Sequence, residues 1–156
     1  MKKTLKNAVI HNVYKTLDKA NSVKDSATRR VVFKAMFPMK KIAEECEDYQ
    51  REAAKRLQPD NYQSVVDIIN EFNAMSPTER EDALKQPRYM DALRANFSFN
   101  KDLERCVTEY MGKESEIDFA PLTDEMFDAL CDANPDWTLG QCIELQDALC
   151  EKGCEA

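Results

Sequence analysis

Six cysteines and one histidine are the residues of this 156-residue chain that could bind a metal or act as nucleophiles. The cysteines stand at positions 46, 106, 131, 142, 150 and 154. Cys142, Cys150 and Cys154 would share one side of the last helix if that helix extends far enough. Cys131 could join them from the preceding helix and complete a zinc site. Structural zinc usually takes closer paired spacings, so free thiols are the favoured interpretation.

Acid–base and nucleophilic catalysis have little support in the residue pattern. His11 would have to act as the base for a cysteine nucleophile, and no residue that could orient it is visible. Paired carboxylates such as Glu44 and Glu45 are plentiful, and nothing distinguishes a catalytic pair from a solvated helix face. The three glycines stand apart, so there is no glycine-rich phosphate loop. We therefore expect no enzyme activity, no cofactor and no bound metal.

Charge is distributed unevenly along the chain, whose formal net charge is -7. Residues 1–43 contain eleven lysines and arginines against two aspartates, a formal charge of +9. Residues 114–156 contain twelve acidic residues against one lysine, a formal charge of -11. This polarity favours either docking of the two ends within one molecule or head-to-tail contacts between copies.

Two charged clusters are the candidate partner-binding residues. The basic cluster contains Arg29, Arg30, Lys34, Lys40 and Lys41. The acidic cluster contains Asp124, Glu125, Asp128 and Asp132. A basic cluster of this kind can bind phosphates of nucleic acid, but no recognised nucleic-acid motif is present. Docking to an acidic protein surface is therefore the favoured interpretation, with a solvated face as the alternative.

The basic cluster belongs to a stretch, residues 25–57, around which the chain is organised. Val32, Met39, Cys46 and Ala53 recur every seven residues. A second apolar series is offset by three and contains Ala35, Ile42 and Tyr49. The alternating spacing predicts one long helix with a coiled-coil seam.

The ends of this long helix are marked, and a proline interrupts its middle. Asp25 or Ser26 can cap the start, and Pro59 predicts an end at or before Gln58. Pro38 either kinks one helix or separates two. The unbroken seam favours a single kinked helix.

Helical periodicity continues through most of the remaining chain. It predicts helices over residues 4–20, 62–74, 87–111, 124–133 and 139–151. A short helix starts at a capping box beginning with Ser76, and Thr123 and Thr138 cap the last two helices. The helix over 62–74 is the most apolar and is expected to be well buried. Residues 116–119 alternate before Pro121 and predict an extended connector or a lone strand.

The last helix is expected to present Leu139, Ile143, Leu149 and Cys150 to the core, with Gly153 closing it. Trp137 can fix its entry angle as a hydrophobic staple.

These elements predict an all-α fold. The helix over 25–57 packs antiparallel against 87–111 as a long hairpin, braced by helices 4–20 and 62–74, and a small two-helix lobe follows. The predicted domains are a long-helix body (1–112) and an acidic C-terminal lobe (113–156), or one continuous domain. With no run of about 18 apolar residues and no secretory signal, we expect a cytoplasmic protein without a membrane partner.

The layout resembles small uncharacterised helical proteins of bacteriophages and prophages, including those of gut bacteria. Three segments carry the resemblance, together with the long charged helix: LKNAVIHNVYKTLDKA, ESEIDFAPLTDEMFDALCDA and WTLGQCIELQDAL. It implies a phage context, in which such proteins serve particle assembly, tail assembly or interference with host systems. It implies no catalytic residue.

We therefore expect a non-enzymatic protein that acts in protein–protein interaction or assembly, through helix faces and opposed charged ends. The alternative is a nucleic-acid-linked regulator or inhibitor of a host system. The partner is expected to be another protein or a second copy of the chain.

Overall fold

The computed structural model describes residues Met1–Glu151, and within this range the chain is predominantly helical, which confirms the predicted all-α class. The elements in chain order are β1 (Lys2–Lys6), α1 (Asn7–Asp18), α2 (Ser26–Leu57), α3 (Tyr62–Asn73), α4 (Pro77–Ala83), α5 (Pro87–Met111), β2 (Glu114–Asp118), α6 (Asp124–Ala133) and α7 (Leu139–Leu149).

The two strands form an antiparallel sheet that joins the basic start of the chain to its acidic later part. The register places Lys2 opposite Asp118 and Lys6 opposite Glu114. Lys2 Nζ also lies 3.0 Å from Glu116 Oε1. Residues 116–118 of the predicted extended segment therefore belong to a strand, which is paired and not a lone one.

The prediction of a helix over residues 4–20 is wrong at its start, because α1 begins only at Asn7. Leu5 fits the helical repeat, yet its neighbours Thr4 and Lys6 are more exposed, as in a half-buried strand. The extended β2 supplies backbone partners, and this tertiary pairing outweighs local helix preference. Asn7 marks the change of structure, since its side-chain amide donates to the Tyr110 carbonyl at 3.1 Å.

Lys3 connects the sheet to the end of α7. Its Nζ donates to the carbonyl oxygens of Asp147 at 2.5 Å, Ala148 at 3.2 Å and Cys150 at 2.8 Å. The last carbonyls of a helix lack intrahelical donors and carry partial negative charge, so a lysine there stabilises the helix end. The charge polarity allowed either docking of the two ends within one molecule or contacts between copies. Residues 2–6 dock onto the acidic part of the same molecule.

Helix α2 is continuous from Ser26 to Leu57, with Pro38 inside it. A single helix was the favoured prediction and is confirmed. The Asp25 carboxylate accepts the Thr28 backbone N–H at 2.7 Å and its hydroxyl at 2.6 Å, so Asp25 is the cap. The helix ends before Pro59, as predicted.

The predicted seam of α2 is largely buried. Ala35, Met39, Cys46 and Ala53 are each at most 2% exposed, and Ala43 is buried as well. The remaining seam residues are partly exposed, so the contact stripe is narrower in places than the repeat indicated.

The chain divides into two compact units. The first contains Met1–Asp48 and the chain from Tyr110 onward, and the second contains Tyr49–Glu109. The chain passes from the first unit into the second between Asp48 and Tyr49, inside α2, a boundary that was not predicted. It returns to the first unit between Glu109 and Tyr110, close to the boundary predicted at residue 112. Residues 113–151 therefore share their unit with residues 1–48.

The first unit has a core to which α1, α2, β2, α6 and α7 all contribute. Its most buried large side chains are Ile10, Val13, Met39, Leu130, Leu145 and Leu149. The structure of α7 corrects two predictions. Helix α7 ends at Leu149 rather than 151, and Leu139 and Ile143 are 83% and 61% exposed instead of buried.

The buried face of α7 is Leu145, Ala148 and Leu149. Two different faces of this short helix are apolar, and the predicted set drew from both: Leu149 and Cys150 are buried as expected, whereas Leu139 and Ile143 are not. Thr138 forms the predicted capping box with Gln141. Gly153 and Cys154 lie outside the described residues.

In the second unit, α3 and α5 contact each other in antiparallel order. Tyr62 lies against Phe99 with ring centroids 5.3 Å apart, and Phe72 lies 6.3 Å from Tyr89. The pairing of 25–57 with 87–111 stays a prediction. The expectation that 62–74 is well buried is wrong, since Val65 is its buried residue. In a unit of about 60 residues, little surface can be fully covered.

We expect Lys3→Met to lower the free energy of unfolding by about 1.5–3 kcal/mol, because three carbonyl oxygens lose a charged donor. Lys2→Met is the matched control on the same strand. Its ion pair with Glu116 is exposed to solvent, so its loss should cost much less than the loss of the Lys3 contacts. Urea unfolding followed by circular dichroism measures both, and equal losses in the two variants would contradict the role assigned to Lys3.

Candidate interaction surface

The five basic residues predicted as partner-binding all lie exposed on one side of α2. They are Arg29, Arg30, Lys34, Lys40 and Lys41. At about 100° per residue, they fall within an arc of roughly 140° around the helix axis. The structure therefore brings this predicted cluster together on a single face.

Two phenylalanines lie inside this basic arc and were missed by the sequence interpretation. Phe33 and Phe37 are 59% and 60% exposed. Their rings contact each other edge to face, with centroids 4.8 Å apart and planes at 80°. We call this pair the aromatic ridge. The available signal was that both residues lie one turn apart and outside the apolar seam.

Two grooves flank the ridge. The first has a volume of about 130 Å³ and is bounded by Phe33, Met36, Val23 and Leu130. The second has a volume of about 250 Å³ and is bounded by Phe33, Met36, Phe37 and Tyr14, among others. An apolar cavity of about 150 Å³ can hold a benzene ring, so the second groove has room for an aromatic ring and the first for a smaller apolar side chain. Ridge, grooves and basic arc together form what we call the basic–aromatic face.

Most of the positive charge on this face is free to meet a partner. Lys40 lies 3.7 Å from Glu44 and Lys41 lies 3.9 Å from Glu45, as exposed pairs one turn apart. Such pairs contribute only about 0.3–0.5 kcal/mol and exchange readily. The other three basic residues of the cluster form no ion pair within 4 Å anywhere between Met1 and Glu151.

The predicted acidic cluster also occupies one face. Asp124, Glu125, Asp128 and Asp132 are exposed on α6 and fall within an arc of about 100°. We call it the acidic stripe. The pKa of Glu125 is lowered by its own backbone N–H and by the Thr123 hydroxyl. In the part of the chain that the structure covers, no ion pair joins the stripe to the basic cluster.

The cysteines that were considered for a zinc site lie in different environments. The thiols of Cys131 and Cys142 hydrogen-bond between α6 and α7, and Cys150 is buried. Burial, together with Cys142, raises the pKa of Cys131 to about 11. Among residues 1–151, no three or more His, Cys, Asp or Glu side chains form a group that could hold a metal ion.

His11 faces a carboxylate on α2. Its Nε2 lies 3.5 Å from Glu47 Oε1, which also binds Lys15 Nζ at 2.5 Å. Lys15 lowers the pKa of Glu47, with His11 adding to the effect. His11 and Lys15 also line an open polar groove with Trp137 and Glu144. The ion pair between Lys15 and Glu47 connects α1 to α2.

Comparison with family models, with curated proteins and with solved structures gives no match. Across residues 1–151, none of the helices has the length and apolar content needed to cross a bilayer.

The aromatic ridge is expected to be dispensable for folding. We expect Phe33→Ser to lower the free energy of unfolding by about 1 kcal/mol or less, because most of the ring is already in water. Met39→Ala, on the buried side of the same helix, should cost about 2–5 kcal/mol. Urea unfolding compares the two, and equal costs would show that the ridge is part of the core.

Cys131 should react slowly with alkylating reagents. A pKa of about 11 leaves roughly one thiol in a thousand ionised at pH 8, and the thiolate is the reactive form. Its rate with iodoacetamide, measured by peptide mass spectrometry, should still rise about tenfold per unit near pH 9. A rate that levels off there would contradict the raised pKa.

Proposed function

We propose that this chain is a non-enzymatic interaction protein that binds another protein through the basic–aromatic face of α2. The observation that carries the proposal is the aromatic ridge, two large apolar side chains held in water within a basic arc. Exposed aromatic residues beside arginine are enriched where proteins bind one another, and such anchors supply most of the affinity.

The grooves favour a protein over other ligands. A partner helix can place apolar side chains on both sides of the ridge, in the manner of a helix binding a groove. The basic residues then meet acidic side chains at the rim of the contact. Charges at a rim mainly set association rate and specificity.

The non-enzymatic part of the proposal rests on the state of the titratable groups. Glu47 is engaged by Lys15 and His11, and Glu71 by Arg88 and the Tyr89 hydroxyl. The raised pKa of Cys131 disfavours the thiolate that a nucleophile requires. These groups are arranged as structural pairs.

The resemblance to phage proteins gives this interaction a context. In it, the chain would serve virion or tail assembly, in the host cytoplasm or in the particle. The role in assembly is part of the proposal, and binding through α2 can be tested independently of it.

A nucleic-acid-linked regulator is the second candidate, because basic residues interleaved with aromatic rings also bind single strands. Two observations make it the weaker one. The rings of Phe33 and Phe37 pack against each other, which limits stacking with bases. The acidic stripe lies in the same compact unit and would repel phosphates.

Fluorescence anisotropy with synthetic amphipathic helical peptides tests the proposal. One peptide carries glutamates on its polar face, and the other carries lysines in the same positions. We expect the glutamate peptide to bind at least about tenfold more tightly. Phe33→Ser combined with Phe37→Ser should abolish binding, whereas Phe97→Ser, at a phenylalanine on α5 that is 68% exposed, should not.

Equal binding of both peptides, or unchanged binding by the double variant, would overturn the proposal. Labelled single-stranded DNA and RNA are titrated in parallel. Strong binding that is lost with Arg30→Glu and Lys34→Glu, in the absence of peptide binding, would support the second candidate instead.

A further inference from the structure

The same chain presents a surface complementary to the basic–aromatic face. The acidic stripe on α6 carries four carboxylates, against five positive charges on α2. Its residues Asp124, Asp128 and Asp132 repeat every turn over about 12 Å, within the roughly 18 Å length of the basic cluster. Among residues 1–151, no ion pair neutralises the acidic stripe, and the basic cluster has only the two exposed pairs that Lys40 and Lys41 form on their own helix.

An exposed apolar pair adjoins the acidic stripe. Leu139 and Ile143 lie one turn apart on α7, at 83% and 61% exposure. The contact between Cys131 and Cys142 shows where α6 and α7 meet. From the helical positions of these cysteines, the stripe and the apolar pair lie on adjoining surfaces. This surface therefore matches the basic–aromatic face in both its charged and its apolar parts.

We propose that the partner of the basic–aromatic face is a second copy of this chain, which contributes its acidic stripe and the Leu139–Ile143 pair. This inference rests on the proposed function and adds the identity of the partner. The two surfaces differ, so the contact is heterologous and pairs unlike faces of successive copies. Copies joined in this way can form a closed ring or a chain.

The strength of this association should depend on the salt concentration. Each copy carries a net charge of -7, and two copies repel each other at long range. At about 0.15 M salt the Debye length is roughly 8 Å, which screens this repulsion more than the close pairs in the contact. Association is expected at this salt concentration and should weaken as the salt is raised further.

Complementary charge variants test the pairing. The first variant carries Arg30→Glu and Lys34→Glu, and the second carries Asp128→Lys and Asp132→Lys. All four positions are exposed, and circular dichroism verifies folding. By sedimentation velocity, each variant alone should associate at least about tenfold more weakly than wild type. An equimolar mixture should associate with one-to-one stoichiometry, because each variant retains the wild-type face that the other needs.

A variant with all four changes should associate again. The control carries Lys55→Glu and Lys101→Glu, which change the net charge as the first variant does but lie on exposed positions elsewhere. It should behave as wild type.

Wild type that stays monomeric over the whole concentration series, or a mixture no more associated than its components, would overturn the inference. The glutamate-peptide titration then shows whether only the identity of the partner is wrong or the proposed function is wrong as well. If the peptide still binds through the ridge, the proposed function stands with a different partner. If it does not, both fall.

Discussion

The first unit depends on the pairing of its first strand with a strand more than a hundred residues later. Loop closure over such a distance costs on the order of 4 kcal/mol before any contact forms. The sheet offsets this cost with backbone hydrogen bonds, alternating opposite charges and the lysine that binds the end of α7. Without this pairing, α1 would lose its anchor at Asn7, and the carbonyls at the end of α7 would lose their donor.

Much of the helical framework could be predicted because its signals are local. Thr123, Thr138 and Ser76 cap helices through contacts with residues three positions away, and proline and aspartate mark the ends of α2. The seam of α2 was visible for the same reason, since its period reports which side of a helix is apolar. The charged clusters were found because charge at helical spacing stays together on one face.

What could not be predicted depends on distant partners. Residues 4–6 suit a helix and a strand about equally, and β2 decides between them. In α7, Leu139 and Ile143 are as apolar as the buried residues, and only the position of the core selects the buried face. The aromatic ridge was overlooked because a phenylalanine beside a basic cluster is normally expected to be buried. Its exposure follows from the fixed phase of α2, in which Ala35 and Met39 already occupy the core.

The discontinuous first unit has a consequence for synthesis. The second unit, Tyr49–Glu109, is one uninterrupted segment whose contacts are local, so it can form while the rest of the chain is still being translated. The first unit cannot be completed until α7 has left the ribosome, since Lys3 binds carbonyls at residues 147–150. Until then, the core residues of α1 and α2 lack the apolar contacts that β2, α6 and α7 supply. The order of folding is therefore expected to run from the middle of the chain outward.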